Sequence, residues 1–362
     1  MRDFVDVYLV STPRQWWLAC AIALHHQSKN QSKHVLLIDN GFQGAEVFAE
    51  LTRKWKQSPF EEVKLLFGKN DWQYERSKFK SGWLKRIEKY KRHAEFKSVL
   101  ERFVVKEVYA SNVGAWNLQY LMHMASKKDA WPSCSYLDDG TLSYYEQKQY
   151  SLPWRKYMER KLHYGLWYKR PRLLGENEWV HRGYVLSAKH VNSSLQIIPL
   201  VELNHIFFDN EALLDLADRV TRHFNFDFTL WKQAKTVLVL SKVSVLEKEC
   251  PGYSEYIKFK VRHLDASRPV WIKYHPREQD ADPLKLKEIH PDIHFIPSEI
   301  PFELLLSGVS DKDRIYGDIS TVLMDAKLYL PELYVESQIC AGAFPEVIKV
   351  FERLGITVQS MN

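Results

Sequence analysis

Two adjacent carboxylates stand at the end of a short apolar stretch near the middle of the chain. The segment Ser133–Asp139 is predicted to be a buried strand that ends on Asp138 and Asp139, and Gly140 follows. Neighbouring side chains on a strand point to opposite faces of the sheet, so Asp138 and Asp139 cannot both simply face solvent. Ligands of open α/β sheets bind at the carboxyl ends of strands, where an aspartate is suited to act as a general base. A plain Asp-Asp-Gly turn is the alternative.

A histidine and two hydroxyls occupy comparable places in the second half of the chain. His275 ends a predicted strand, and Pro276 restricts its backbone. A histidine at such a place is suited to hold or protonate a phosphate oxygen as a leaving group departs. Ser320 and Thr321 begin a predicted helix, where hydroxyls and N–H groups bind phosphate. The simpler alternatives are a strand-end histidine without a special task and an ordinary helix cap.

Further polar residues stand near these positions. Glu303 begins a short helix and is suited to bind a ribose diol, or it simply favours the helix dipole. Lys242 directly follows the apolar strand Thr236–Ser241. In the first half, Thr12 is suited to cap a helix and Pro13 suits its first turn. This opening favours anion binding at the sheet edge, although an ordinary capped helix accounts for the same residues.

Strands and helices alternate along both halves of the chain, which predicts parallel, doubly wound sheets. A length of 362 residues favours two domains. We therefore expect two Rossmann-like α/β domains with a cleft between them, the architecture called GT-B. The division expected is 1–190, 191–340 and a C-terminal helix at 341–362. Residues 174–203 lack clear periodicity and are predicted to be a crossover or a linker.

The positive charge is concentrated in two segments that also contain aromatic residues. The net charge is +6, while Gly68–Leu100 holds ten Lys/Arg against four Asp/Glu and Ser151–Leu174 holds seven against one. The segments are predicted to form helices at about Lys80–Phe103 and Trp154–Leu174. Mixed basic and aromatic residues favour an anionic membrane surface or another anionic partner, and solvated surface helices are the alternative. No nucleic-acid-binding motif is present.

The chain is expected to be cytoplasmic. Its first residues are polar and do not form a signal sequence, and no apolar run is long enough to span a bilayer. The four cysteines are far apart in sequence and lack the spacing of metal ligands, so they are expected to be reduced thiols. With the basic segments, this predicts a peripheral position at the inner face of the cytoplasmic membrane.

Taken together, these residues resemble the bacterial sialyltransferases of GT-B fold, including the lipooligosaccharide and capsule polysialic acid enzymes. The matching motifs are short and occur in the same order: Asp138-Asp139-Gly140, His275-Pro276, Pro301-Phe302-Glu303 and Ser320-Thr321. The opening Ser11-Thr12-Pro13 also resembles the first loop of those enzymes. The resemblance spans roughly Val5 to Leu330 and is one of motifs rather than of close identity.

The resemblance implies an inverting transfer of a sialic acid, or of pseudaminic or legionaminic acid, from its CMP donor to a bacterial surface glycan or glycolipid. Asp139 would be the base and Asp138 its support, within an acceptor-binding first domain. In the donor-binding second domain, His275 and Pro276 would act at the departing phosphate and Glu303 would bind the ribose.

The resemblance also implies that Ser320 and Thr321 bind the donor phosphate and that Gly140 lies beside the donor. It places Thr12 and Pro13 in a loop on the acceptor side. Lys242 is a further donor-binding candidate, which we include only because of its position after the strand and not because of the resemblance. No metal and no other cofactor is expected, because a single phosphate leaving group is stabilised by histidine and helix-terminal donors. Two alternatives remain: a GT-B transferase that uses a UDP- or GDP-sugar, and a non-catalytic protein of glycan assembly.

Overall fold

The structure is a computed structural model that describes residues 2–29, 32–68, 70, 81–128, 131–146, 153–169, 171, 173–204, 207–265, 267–278 and 280–361. Lys80 and Arg170, which belong to the predicted basic helices, lie outside the described residues. The chain divides into two compact units. The first consists of Met1–Asp139 and Glu146–Leu216, and the second of Gly140–Tyr145 and Ala217–Asn362.

The described part of the first unit contains a seven-stranded parallel sheet. Its strands are β1 (Asp3–Val10), β2 (Lys33–Asp39), β3 (Phe60–Leu66), β4 (Phe103–Ala110), β5 (Ser133–Leu137), β6 (Val180–Val185) and β7 (Leu200–Glu202). They lie in the order β3-β2-β1-β4-β5-β6-β7. The helices are α1 (Pro13–Lys29), α2 (Ala45–Lys54), α3 (Ser81–Arg102), α4 (Trp116–Lys128) and α5 (Trp154–Tyr164), and α6 (Glu211–His223) spans the boundary to the second unit.

The described part of the second unit contains a six-stranded parallel sheet. Its strands are β8 (Thr236–Leu240), β9 (Val270–Tyr274), β10 (His294–Phe295), β11 (Arg314–Gly317), β12 (Tyr334–Ile339) and β13 (Thr357–Ser360), in the order β10-β9-β8-β11-β12-β13. Its helices are α7 (Phe228–Trp231), α8 (Val243–Glu249), α9 (Tyr253–Arg262), α10 (Leu286–Ile289), α11 (Phe302–Leu305), α12 (Thr321–Tyr329) and α13 (Pro345–Arg353). A short 3-10 helix, Gly140–Ser143, also belongs to this unit.

Both sheets are doubly wound, as predicted. In each unit the first three strands run outward in one direction and the fourth strand begins a run in the other direction. The strand order therefore reverses between β1 and β4 in the first unit and between β8 and β11 in the second. Open α/β sheets bind ligands beside the carboxyl ends of the strands at such switch points.

Apolar strands that are covered on both faces form the two cores. All six residues from Val5 to Val10 in β1 and all five residues of β8 are buried. Strands of parallel sheets have this pattern because helices pack on both faces. The ends of these strands are therefore held rigidly, and the polar residues that follow them are placed with little freedom.

The helix predicted at Trp154–Leu174 is shorter in the structure. It ends at Tyr164, where Gly165 follows with φ of +127° and donates its N–H to the carbonyl of Lys161. A glycine with positive φ is a common way for a helix to end, since other residues are strained there. The described residues of the predicted helix that follow Tyr164 are therefore not helical.

Three other predictions about the chain's organisation differ from the structure. The segment 174–203, predicted to be a linker, contains β6 and β7, and Arg182 and Gly183 within β6 interrupt the apolar pattern that would have marked it. The C-terminal segment contains α13 but then adds β13, an edge strand that is largely exposed and polar. Residues 191–216 belong to the first unit, whereas the sequence-based division placed them in the second domain.

Among the helices that the structure describes, none combines the length and the apolar character needed to cross a bilayer.

Candidate functional site

The first unit places Asp138 directly after β5, close to the loop that follows β1. Asp138 is fully buried. Its Oδ1 lies 3.2 Å from Nη2 of Arg14, and its Oδ2 accepts a hydrogen bond of 3.0 Å from the N–H of Leu186. Arg14 also donates to the backbone carbonyl of Asp138 at 2.6 Å. Because both of its carboxylate oxygens are engaged inside the protein, Asp138 is suited to hold the strand end in place.

Asp139 is only partly buried and has a different environment. Its Oδ1 accepts a hydrogen bond of 2.9 Å from Nε2 of Gln15. Burial raises the pKa of Asp139 and the charge of Asp138 adds to this, while the Gln15 hydrogen bond and the charge of Arg14 lower it. A carboxylate with a raised pKa is a better proton acceptor than an ordinary aspartate. Of the two acids, Asp139 is the better candidate for a general base.

The loop after β1 determines which end of the Gln15 amide meets Asp139. Oε1 of Gln15 accepts hydrogen bonds from the N–H of Ser11 at 2.8 Å and from its hydroxyl at 3.0 Å. The hydroxyl of Thr12 caps α1 by accepting the N–H of Gln15 at 3.2 Å, and Pro13 begins the helix. With Oε1 occupied, Gln15 directs its Nε2 donor at Asp139. The sequence motifs do not single out Gln15, although a polar residue in the first turn of an apolar helix is a signal for it.

In the second unit, the candidate donor-binding residues gather at the ends of three neighbouring strands. β8 pairs with β9 on one side and with β11 on the other. Lys242 lies two residues beyond β8, His275 directly follows β9, and Ser320 and Thr321 lie beyond β11. This is the topological switch point of the second sheet, so residues that are 79 positions apart in sequence, Lys242 and Thr321, share one edge.

His275 is partly buried and its ring has a defined hydrogen-bonding pattern. Its Nδ1 accepts the N–H of Arg277 at 3.0 Å, so the neutral ring carries its proton on Nε2. Burial lowers the pKa of His275, the charges of Arg277, Lys273 and Lys242 add to this, and Glu278 opposes it. A phosphate near Nε2 would meet a donor and would also offset the surrounding positive charge.

The turns that follow β8 and β9 are joined by a carboxylate. Pro276 lies in a turn closed by a 2.9 Å hydrogen bond from the N–H of Glu278 to the carbonyl of His275. Oε1 of Glu278 then accepts the N–H of Val243 at 2.6 Å, at the start of α8. Val243 directly follows Lys242, and Glu278 lies in the turn that begins at His275. This hydrogen bond therefore joins the loop that carries Lys242 to the turn that carries His275.

A fully buried carboxylate, Asp318, holds the loop between β11 and α12. Asp318 accepts the N–H of Ser241 at 2.7 Å and the hydroxyl of Tyr253 at 2.8 Å, and it also accepts the Ser241 hydroxyl and the N–H of Ile319. Burial raises the pKa of Asp318, and these hydrogen bonds lower it. The sequence motifs do not include Asp318. The signal for it is the same as for Asp138: an acid placed directly after an apolar strand.

The buried side chain of Lys273 holds the loop that precedes Glu303 in the second unit. Its Nζ donates to three carbonyl oxygens of the loop at 297–300, at distances of 2.7 to 3.2 Å. Burial lowers the pKa of Lys273 to about 8, and Glu303 and Glu299 oppose the shift. This loop leads directly into α11, so Lys273 fixes the segment that carries the candidate ribose-binding residue.

The start of α12 contacts the segment that follows the acid pair. The hydroxyl of Ser320 caps the helix by accepting the N–H of Val322 at 3.3 Å, and Oγ1 of Thr321 lies 3.5 Å from the N–H of Thr141. Gly140 has φ of +69°, and a Cβ on it would lie 2.5 Å from Cγ2 of Thr321. Only glycine fits this position without a shift of the helix start or of the segment.

The segment Gly140–Tyr145 is held at its other end as well. Nη2 of Arg353 donates to the carbonyl of Tyr144 at 2.7 Å. The chain passes from the first unit into the second at the peptide bond between Asp139 and Gly140. The candidate base is therefore one covalent step away from a segment that is fixed on α12 and α13.

Within the described residues, no group of three or more His, Cys, Asp or Glu side chains is arranged to hold a metal ion. The groups that the second unit places at its sheet edge are two side chains with nitrogen donors, His275 and Lys242, and the capped start of α12. Such groups are suited to an anion such as phosphate.

Comparison with known proteins identifies the fold. No protein-family model matches the chain. No curated protein matches it. Among solved structures, UDP-GlcNAc 2-epimerase from Neisseria meningitidis bound to UDP-GlcNAc has a TM-score of 0.50 at 13% identity, over 96% of this chain and 85% of that chain.

Two further solved structures are similar at lower scores. UDP-GlcNAc 2-epimerase from Methanocaldococcus jannaschii, in complex with UDP-GlcNAc and UDP, has a TM-score of 0.47 at 14% identity, over 99% of this chain and 89% of that chain. E. coli heptosyltransferase WaaC with ADP has a TM-score of 0.43 at 13% identity, over 98% and 93%. The Neisseria structure, together with the two doubly wound parallel sheets, shows that the chain has a GT-B fold.

Proposed function

We propose that this chain is an enzyme that acts on a nucleotide-activated sugar. More specifically, we propose that it transfers that sugar to a hydroxyl of a bacterial surface glycan. The observation that carries the proposal is the edge of the second sheet. Lys242, His275 and the start of α12 stand together at its switch point, where open α/β sheets bind nucleotides. The edge of the first unit supplies a carboxylate with a raised pKa, Asp139.

The transfer proceeds by inversion. The acceptor oxygen forms a bond to the anomeric carbon, the bond from that carbon to the nucleotide phosphate breaks, and the nucleotide leaves with the electron pair. Asp139 takes the hydroxyl proton, and Asp138 holds the strand end that positions it. His275 and Lys242 stabilise the charge that develops on the phosphate, with the hydroxyls of Ser320 and Thr321 at the helix start.

A CMP-activated nonulosonic acid is the first candidate donor. The observation that favours it is the order of motifs that resembles the GT-B sialyltransferases: Asp138-Asp139-Gly140, His275-Pro276, Glu303 and Ser320-Thr321. Glu303 binds the cytidine ribose, and the loop held by Lys273 positions it. The reaction requires no metal ion, so a chelator leaves turnover unchanged. The site of action is the cytoplasmic side of the membrane.

A UDP-sugar or another nucleotide donor is the second candidate. The Neisseria fold neighbour was bound to UDP-GlcNAc. The comparisons thus support a GT-B enzyme that uses a UDP-sugar better than they support one that uses a CMP-sugar. The base at Asp139 and the phosphate site at His275 serve either donor, and the difference lies in the pocket for the nucleobase.

Nucleotide binding separates the two candidates. We would measure the melting temperature of the protein with CMP, CDP, UDP, GDP and ADP, because a ligand that binds the native state stabilises it by about 2.7 kcal/mol at 100 times its Kd. A shift with CMP alone supports the nonulosonate donor, and a shift with UDP, GDP or ADP supports the second candidate. His275→Asn should reduce the shift, and His263→Asn, at an exposed position of the same unit, should keep it.

Release of nucleotide from the sugar donor tests for catalysis. The protein should release CMP from CMP-nonulosonic acids, or UDP from UDP-sugars, when a glycan acceptor is present. If it binds a nucleotide but releases none from any donor, the chain is a non-catalytic protein of glycan assembly. If it binds no nucleotide at all, the proposal fails entirely.

A further inference from the structure

Helix α5 exposes an apolar stripe on the surface of the first unit. Each of its eleven residues is at least partly exposed. Trp154 is 72% exposed and Leu162 is 79% exposed. Trp154, Met158 and Leu162 are four residues apart, so they lie along one side of the helix. Leu166, just beyond the helix end, is 76% exposed and continues the apolar surface.

Basic side chains flank this stripe. Arg155 lies along one edge of the stripe and Lys161 along the other, while Lys156 and Arg160 lie on the far side of the helix, against the single acid Glu159. A stripe of exposed tryptophan and leucine between lysine and arginine is the pattern of helices that lie in the interface of an anionic bilayer. Nucleic acid would account for the charge but not for two leucines that are more than three-quarters exposed.

Helix α3, which contains part of the other basic segment of the sequence, contacts α5. Nζ of Lys89 in α3 donates to the carbonyl of His163 at the end of α5. The ring of Tyr164 stacks on Trp116 of α4 at a centroid distance of 5.9 Å. Tyr90, adjacent to Lys89 in α3, is 77% exposed. These contacts hold the inner side of α5 against the unit and leave the apolar stripe facing outward.

We infer that α5 binds the surface of an anionic phospholipid bilayer. Trp154, Leu162 and Leu166 enter the region between headgroups and acyl chains, while Arg155 and Lys161 contact lipid phosphates. The inference is independent of the donor proposal, since every residue that it uses lies in one surface element of the first unit.

Vesicle co-sedimentation of the full chain tests this surface. The probes are vesicles of phosphatidylcholine with phosphatidylglycerol, and vesicles of phosphatidylcholine alone. We expect binding to the anionic vesicles only, and weaker binding as salt is raised. Replacing the two basic residues that flank the stripe, Arg155→Gln with Lys161→Gln, should weaken binding roughly 25-fold, at about fivefold for each charge. Lys106→Gln with Lys189→Gln, which removes two exposed charges elsewhere in the unit, should have little effect.

The apolar stripe is tested in the same assay. Trp154→Ala with Leu162→Ala should weaken vesicle binding by more than tenfold, on the order expected for two large side chains leaving the bilayer. Ile197→Ala, at a side chain that is 74% exposed elsewhere in the unit, is the control. Leu166→Ser serves if the double variant does not fold. Equal binding to neutral vesicles, undiminished binding by both the charge and the stripe variants, or binding to a single-stranded oligonucleotide but not to vesicles would overturn the inference.

Discussion

The two sheet edges that carry the candidate residues share a topology but differ in charge. In the first unit the strand ends present two carboxylates, Asp138 and Asp139, with a guanidinium behind them. In the second unit they present Lys242, His275 and the start of α12. The same doubly wound arrangement thus carries two carboxylates at the strand ends of the first unit and groups with nitrogen donors at the strand ends of the second.

A second feature is common to both edges. In each unit a buried polar group positions a more exposed one: Asp138 lies beside Asp139 in the first, while Asp318 and Lys273 hold the loops of the second. Buried ionic groups are costly unless every bond is satisfied, and satisfied networks hold a single arrangement. The comparison suggests that removing an exposed group affects chemistry, whereas removing a buried one affects position and stability together.

The largest effects are expected at the two exposed groups. Asp139→Asn and His275→Asn should each lower kcat/KM by about 10²- to 10⁴-fold, the contribution of a positioned acid or base. The two should differ in binding: Asp139→Asn keeps the nucleotide Kd, and His275→Asn weakens it. Steady-state kinetics and calorimetry measure both. Asp209→Asn and His263→Asn, at exposed positions, are the controls. Equal activity of Asp139→Asn and the native protein would remove the base.

Gly140 tests how the segment after the acid pair is fixed. Gly140→Ala places a Cβ within 2.5 Å of Thr321 at a φ of +69°. Gly342→Ala has a similar φ of +80° but no atom within 4 Å of the new Cβ. Both variants incur about 1 kcal/mol of backbone strain. Only Gly140→Ala should also lower turnover, about tenfold or more, because a shift there moves the adjoining Asp139. Similar turnover in the two variants would argue against this role.

Two buried lysines of the second unit separate stability from binding. Lys273 holds the loop at 297–300, whereas Lys235, just before β8, pairs with Asp313 at 2.8 Å at the opposite end of the sheet. Lys235→Met should cost about 3–5 kcal/mol by leaving a buried carboxylate unpaired. Lys273→Met should cost on the order of 2 kcal/mol, for carbonyls left without a donor. Only Lys273→Met should weaken nucleotide binding several-fold, as measured by calorimetry on the folded variants. An unchanged Kd in Lys273→Met would show that the loop does not serve the donor.

The strand ends were predictable from the sequence because apolar runs stop abruptly there. Asp138 and His275 each directly follow such a run, and local patterns are sufficient to place them at a carboxyl edge. The fold class follows from the same alternation. β6 was not predictable in this way, since Arg182 and Gly183 break its pattern.

The supporting residues could not be predicted, because their roles depend on contacts between distant parts of the chain. Arg14 meets Asp138 across 124 positions, and Ser241 meets Asp318 across 77. A hydropathy pattern does show that Lys273 interrupts an apolar strand, so it must find partners, but it does not show that these are the carbonyls before α11. Local periodicity is thus sufficient to predict where the strands end. The hydrogen bonds that position the candidate side chains there depend on tertiary contacts.

The smallest effect is expected from Gln15, and it concerns pH rather than maximal rate. The pKa of Asp139 is raised by burial and lowered by the Gln15 hydrogen bond. Removing that bond in Gln15→Leu should raise the pKa further. The base is active when deprotonated, so the acidic limb of kcat/KM should move to higher pH. The shift should be on the order of half to one unit, since such a bond contributes about 1 kcal/mol.

Gln15→Glu distinguishes this electrostatic role from a purely structural one. A glutamate keeps an acceptor for the N–H and hydroxyl of Ser11, so the loop after β1 retains its hydrogen bonds. It replaces the donor that faces Asp139 with a second negative charge, which raises the pKa of Asp139 more than Gln15→Leu does. The acidic limb should therefore move furthest in Gln15→Glu while the rate at high pH recovers. A uniform loss of rate at every pH in both variants would mean that Gln15 only shapes the loop.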